Sequence, residues 1–311
     1  MTGSRSTIRA CICLLAIALC LAGGCASRKP APETAAEIAG GREFTDGVGR
    51  KVAVRPSPQR VVSLAPNLTE ILFAFGLGDR IAGVTSYCDF PEAAKSKEKL
   101  GDTLHPNLER IITLKPDLVL ITTSSQLEQI TRRLDQLSIP VYVTNPRDVR
   151  EIIASIRALG EVTGATAKAD EIAGEMERRV NLVRERVRPL PELRVFYVLQ
   201  TGPLITAGRN TFINDLINLA GGVSISGQET ADYPQFSRET VVARKPEVIV
   251  VPSSHGTDLV KEDDLRRDFA TTPAVRAGRV VRVNPDWVDR PGPRIVEGLE
   301  QLAQGLHPQS P

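Results

Sequence analysis

The chain has 311 residues, room for two domains of ordinary size, and its 39 basic and 37 acidic side chains nearly cancel at +2. That balance excludes a basic nucleic-acid-binding face, while 41% hydrophobic and 24% charged residues suit a chain that buries an ordinary core in water. After Cys25, no apolar run reaches the roughly 20 residues of a membrane-spanning helix.

Residues 1–25 read as a lipoprotein signal peptide. Arg5 and Arg9 supply a positive start, Ala10–Ala22 an apolar stretch, and Leu21-Ala22-Gly23-Gly24-Cys25 small residues before a cysteine. Cys25 is then the lipidated first residue of the mature chain. A plain signal peptide cut near Gly24 or Ala26 is the alternative, and both readings export the protein to the periplasmic face or the cell surface. Cys11, Cys13 and Cys20 leave with the signal, so Cys88 is the one thiol of the body and no internal disulfide can form. Residues 26–43, rich in Ala, Pro and Glu, form a flexible tether.

A first α/β lobe is expected over 44–162. The Asp46-Gly47 signal inside Glu43–Val54 predicts an entrance hairpin. Strands follow at Val61–Leu64, Ile81–Thr85, Leu118–Thr122 and Val141–Thr144, with helices after Asn67, at Asn107–Leu114, at Gln126–Leu137 and at Asp148–Gly160. Asn67 and Glu70 have the spacing of a helix cap. Strands alternating with helices predict a parallel sheet covered by helices. Ile172, Met176, Val180, Val183 and Val187 then mark one amphipathic helix over Thr163–Arg188, stopped by Pro189 and Pro191, so 163–190 is read as a rigid link.

The second lobe, 191–311, is expected to carry strands at Arg194–Leu199, Glu247–Val251 and Arg279–Val283 and helices at Thr211–Ala220 and Pro293–Leu306. It also repeats the first. Asn107–Thr122 (NLERIITLKPDLVLIT) is echoed 130 positions on by Ser237–Pro252 (SRETVVARKPEVIVVP), with Glu109, Lys115 and Pro116 matched by Glu239, Lys245 and Pro246. Two similar lobes follow, each with a glutamate in the first turn of a helix, where it complements the helix dipole.

Catalysis finds little support. The chain has no Gly-X-Ser-X-Gly elbow and no phosphate loop, and Gly76-Leu77-Gly78 follows a helix and reads as its stop. His105, His255 and His307 are not paired at ligand spacing, so no metal site and no enzyme is expected. The aromatics say more. In a chain that is only 4% aromatic, Tyr87, Tyr233 and Trp287 all fall in predicted loops beside polar or turn-forming residues, where α/β sheets build ligand crevices. Packing on the surface of their own lobes is the competing reading.

Five segments carry a resemblance: Arg60–Leu72 (RVVSLAPNLTEIL), Gly83–Pro91 (GVTSYCDFP), Asn107–Val119, Tyr233–Val241 (YPQFSRETV) and Asp286–Ile295 (DWVDRPGPRI). Together they resemble the substrate-binding proteins of bacterial ABC importers for cobalamin, siderophores and haem, nearest to the cobalamin-binding members. The resemblance spans Phe44–Leu306 and implies two α/β lobes with mostly parallel sheets, joined by one long rigid helix, with the ligand between them (class III). It implies a corrinoid as the transported ligand and no cofactor, with Tyr87, Tyr233, Asp286, Trp287 and Arg290 facing it. It also implies a dimeric permease with its ATPase subunits as partner, reached through Glu109 and Glu239. The membrane would be met through lipid on Cys25, no nucleic acid is expected, and the chain is read as a monomer. A ferric siderophore or haem is the alternative ligand, with Arg209 and Arg290 as candidate cations; a metal-dependent enzyme on a two-lobed fold is the remaining reading. The chain departs from the pattern where a cleft tryptophan is expected before Asn107, with Thr103 or Leu104 standing there instead, and its lone Cys88 cannot form the family member's disulfide.

Overall fold

The computed structural model describes residues 41–123, 127–253 and 262–308; Cys25, the signal segment and most of the tether lie outside them. Strands β1 (Arg42–Thr45) and β2 (Lys51–Val54) pair antiparallel, as the Asp46-Gly47 signal predicts. Asp46 holds the turn by accepting from the backbone of Val48 and Arg50, and Gly47 donates to Val143 O at 2.7 Å. A Cβ on Gly47 would come within 2.7 Å of Asn145 N, so only glycine lets the hairpin sit this close to the first lobe.

That lobe is built from β3 (Val61–Ser63), α1 (Pro66–Ala74), β4 (Ile81–Val84), α2 (Leu108–Thr113), β5 (Leu118–Thr122), α3 (Leu127–Asp135), β6 (Val141–Thr144) and α4 (Val149–Thr163). The four strands are parallel in the order β4-β3-β5-β6. Gly164, at φ 76°, ends α4. The linking helix α5 therefore runs Thr166–Val187, shorter at its start than the apolar spacing suggests, and reaches about 33 Å. It buries Met176, Val180, Val183 and Val187, the face that the spacing of three and four defines.

The second lobe comprises β7 (Leu193–Tyr197), a small hairpin of β8 (Gln200–Thr201) and β9 (Leu204–Ile205), α6 (Phe212–Leu219), β10 (Gly222–Ser224), α7 (Arg238–Arg244) and β11 (Val248–Pro252). It continues with α8 (Glu262–Asp268), α9 (Pro273–Arg276), β12 (Val280–Val283), α10 (Pro285–Val288) and α11 (Ile295–Leu306). Its parallel sheet has the order β10-β7-β11-β12, the same winding as the first.

The repeat is a shared backbone unit. Asn107 and Ser237 cap α2 and α7 by accepting from Arg110 N and Thr240 N. Lys115 and Lys245 both take the left-handed conformation, at φ 47° and 50°, to turn the chain into the next strand. Asp117 then accepts from the backbone of Gln59 and Arg60, at 2.8 Å each, and Glu247 from that of Arg194 at 3.0 Å, so each acid ties its lobe's first strand to its third.

One apolar cluster fills the space behind both sheets, drawing on α1, α4, α5, α6 and α11. Two smaller clusters cover the opposite faces. One lies around Ile111, Val119 and Leu134, and the other around Phe196, which stacks on Phe236 and meets Phe269 edge-on.

Candidate functional site

The carboxyl ends of the two parallel sheets face each other across a cleft, the place where open α/β sheets collect ligand-binding loops. Loops after β3, β5 and β6 meet the 210–212, 232–233 and 289–291 segments around a cavity of about 370 Å³. Its lining mixes Ala65, Phe212, Tyr233 and three prolines with polar side chains, and is balanced in charge. Five threonines (103, 122, 123, 144, 211) and three asparagines (67, 145, 210) surround two arginines, Arg147 and Arg290, and two aspartates, Asp232 and Asp289. Thr144 is buried, and its hydroxyl has no partner among the described residues.

Two sets of contacts cross between the lobes. At one end the carboxylate of Glu70, on α1, binds Arg294 through both oxygens (2.8 and 2.7 Å) and Arg290 at 3.1 Å. Arg290 also reaches Asp89 at 2.9 Å and Asp286 at 2.8 Å. Burial pushes the Asp89 carboxyl up, but the hydrogen bond and charge of Arg290 outweigh it and hold the group below its ordinary value. The guanidinium of Arg294 lies over the Phe90 ring, 3.9 Å from its centre, and Asn67 donates to Pro291 O. At the other end Arg147 pairs with Asp232, and Val149 N donates to Asp215 Oδ2 at 2.9 Å.

Asp289 is the most perturbed acid beside the cavity. Burial drives its carboxyl up to about 6, Asp286 adds to the rise, and the Tyr197 hydroxyl, donating at 2.6 Å, and Arg290 oppose it. Tyr197 is wholly buried beneath it, so the pair forms a fixed polar floor.

The sequence-predicted residues do not all converge. Arg290 and Tyr233 line the cavity, Tyr233 with about half its surface exposed. Tyr87 stands 60% exposed on the loop after β4, and neither it nor the exposed Phe90 and Leu104 of the same segment is among the residues that line the cavity. Asp286 acts through Arg290, and Trp287 lies half-buried outside the lining residues. Trp287 is on the short helix α10 and not in a loop, because Asn284 and Pro285 start a turn of helix that four residues of sequence could not announce. Glu109 and Glu239 are exposed in the first turns of α2 and α7.

Asn67 and Glu70 are not a cap. Pro66 starts α1, capped at Ala65, two residues earlier than an Asn67 cap would, which frees Asn67 for Pro291 and Glu70 for the arginines. Glu70, Arg294, Arg147 and Asp289 were missed for this kind of reason: their partners lie far along the chain. The one local signal was the spacing of Asp286, Asp289, Arg290 and Arg294, which puts charges on neighbouring turns. Cys88 is buried between the hydroxyls of Thr69 and Thr85, at 3.1 and 3.2 Å. Among the described residues no group of three His, Cys, Asp or Glu side chains is arranged to hold a metal, and no helix is long and apolar enough to cross a membrane.

Two α/β lobes on a single linking helix, with a cleft lined for recognition, define a substrate-binding protein. Residues 61–286 match the family model described as periplasmic binding protein. The uncharacterized ABC transporter substrate-binding lipoprotein YvrC of Bacillus subtilis (strain 168) is 31% identical over 313 residues, covering 98% of each chain. The periplasmic vitamin B12 binding protein BtuF of Vibrio cholerae superposes with a TM-score of 0.72 at 30% identity, covering 80% of this chain and 97% of its own. The periplasmic heme-binding protein RhuT of Roseiflexus sp. RS-1, in its apo form, gives 0.73 at 25% identity over 80% and 98%. The chain belongs to the periplasmic binding protein family, and is a binding protein of the ABC-transporter type, not an enzyme.

Proposed function

We propose that this protein captures a corrinoid in the inter-lobe cleft and delivers it to the permease of an ABC importer. The observation that carries the choice of ligand is the charge of the cavity. Its two arginines are matched by two aspartates, and each arginine is already paired with a carboxylate. An anionic iron chelate, or the paired carboxylates of haem, would need cationic charge not yet spent on protein acids. A corrinoid is fringed with neutral amides, and threonine hydroxyls with asparagine amides offer donors and acceptors to such a fringe. The exposed rings of Tyr87, Phe90 and Tyr233, the last of them in the cavity lining, offer apolar area to a flat macrocycle. Vitamin B12 is also the ligand named for the Vibrio cholerae relative.

Under this reading Tyr87, Tyr233, Asp286, Trp287 and Arg290 orient the ligand, while Glu109 and Glu239, one on each lobe, meet the two-fold permease. Cys25 carries the lipid that keeps the protein at the membrane. Titration calorimetry with cyanocobalamin, haemin and a ferric catecholate siderophore tests the assignment. Saturable heat with cyanocobalamin alone supports it. No heat with cyanocobalamin at tens of micromolar, or tighter binding of either iron ligand, sinks it.

A further inference from the structure

Four charged residues line the 370 Å³ cleft cavity: Arg147, Asp232, Asp289 and Arg290. Arg147 pairs with Asp232. Arg290 commits its guanidinium to three other acids, Glu70 at 3.1 Å, Asp89 at 2.9 Å and Asp286 at 2.8 Å. Asp289 is thus the lining charge that makes no ion pair among the described residues. Its side-chain hydrogen bond is the one from the Tyr197 hydroxyl, which donates to Oδ1 at 2.6 Å.

The groups around Asp289 give its charge little support. On β7, burial and the neighbouring Asp289 push the Tyr197 hydroxyl well above its ordinary value, so it stays a neutral donor. Tyr233, on the segment before α7, is likewise raised, by burial and by Asp232, and is neutral too. On α10, Asp286 adds a second negative charge, and Arg290 opposes it only in part, being shared with Asp286, Asp89 and Glu70. The charged lining residue of the first lobe is Arg147, which is held by Asp232. Asp289 is only half-buried and lines the cavity, so water in the cavity steadies its ionised form. A ligand that fills the cavity takes that water away. A neutral ligand brings no cation in return, so the carboxylate loses more than the neutral acid does.

We propose that the cleft takes up a proton at Asp289 as it captures its ligand, so that capture is favoured below neutrality and release above it. The neutral acid then has an O–H to donate from Oδ2, while Oδ1 still accepts from Tyr197. The inference rests on the reading that a corrinoid, fringed with neutral amides, fills this cleft. The carboxyl of the empty cleft sits near 6, and filling the cleft raises it further. Affinity is therefore highest below about 6 and falls as pH rises through that value, levelling off above the ligand-bound value.

Titration calorimetry with cyanocobalamin, whose own groups do not titrate between pH 5 and pH 8, tests it. Binding at pH 7 is measured in two buffers of different ionisation heat, which counts the protons exchanged, and affinity is compared at pH 5 and pH 8. Net proton uptake is expected, with affinity about tenfold weaker at pH 8, the effect of one further unit of rise. Asp289→Asn, which keeps an acceptor for Tyr197, should bind without proton uptake and equally well at both pH values. Tyr197→Phe removes a donor that steadies the ionised form, so it should move the fall in affinity to higher pH. Binding without proton uptake by the unaltered protein, or uptake left whole in Asp289→Asn, overturns the proposal. A ligand-free measurement separates it from the choice of ligand. The side-chain carboxyl carbon of Asp289, identified by its absence from Asp289→Asn, is followed against pH by NMR. A midpoint above about 5 supports the proposal, and one near the ordinary 3.8 overturns it. If that midpoint is high while cyanocobalamin gives no heat at any pH, the proton site stands and the corrinoid assignment is what fails.

Discussion

The carboxylate of Glu70, on the first helix of one lobe, is held by Nε and Nη2 of Arg294, at 2.8 and 2.7 Å, from the other lobe. The acid side chain is 4% exposed and the arginine 19%, so neither charge keeps enough water to stand alone. Glu70→Ala should destabilise the protein by about 3 kcal/mol, the usual cost of leaving one partner of a buried pair uncompensated. A urea titration reads this as a lower midpoint with an unchanged slope. A loss under about 1 kcal/mol would mean that the arginines find water or Asp89 and Asp286 instead.

Asp289 predicts a pH dependence of stability. Its carboxyl, raised to about 6 from an ordinary value near 3.8, resists ionising in the fold more than in the unfolded chain. The stability it contributes is present below the unfolded value and is lost as pH rises through about 6. Asp289→Asn, which keeps an acceptor for Tyr197, should therefore raise the melting temperature at pH 7.5 and change it little at pH 3.5. The gain is at most roughly 3 kcal/mol. An equal shift at both pH values would show that the acid is not buried in solution.

Reversing the two first-turn charges together, Glu109→Lys with Glu239→Lys, should abolish uptake by cells carrying the cognate permease. Both residues are exposed and lie outside the cavity lining, so ligand affinity should stay within twofold. Normal import by the double variant would reduce these glutamates to partners of their helix dipoles.

Trp287 is the only tryptophan, so its fluorescence can be followed during a ligand titration without labelling. Tyr87→Ala and Trp287→Ala should each weaken ligand binding by about 1 kcal/mol or more if the rings are contacts. Unchanged affinity in either variant would place that ring outside the complex.

Much of the framework was legible because its signals are local. The strands Leu118–Thr122 and Val141–Thr144 were readable to the residue from short apolar runs, and the face of α5 from its spacing. The duplication at Asn107 and Ser237 gave two lobes before any coordinate did. What stayed hidden was whatever depends on residues far apart in sequence meeting in space. Glu70 and Arg294 are 224 positions apart, and Arg147 and Asn210 are 63 apart. Read locally, Glu70 had a plausible job as a cap residue, and nothing in its surroundings said that an arginine was waiting for it. The break at Gly164 was likewise masked by apolar residues that continue on both sides of it.

The apolar cluster behind the sheets runs from Val61 and Leu72 through the linking helix to Val195 and Leu306 without a boundary. Although the chain looks duplicated, neither half owns the layer that keeps it dry. An N-terminal fragment ending before Thr166 would leave the inner faces of α1 and α4 against water, and the complementary fragment would leave those of α6 and α11 the same way. Cutting the gene between the repeats should thus yield two insoluble products, and the intact chain should melt in calorimetry as one cooperative transition instead of two.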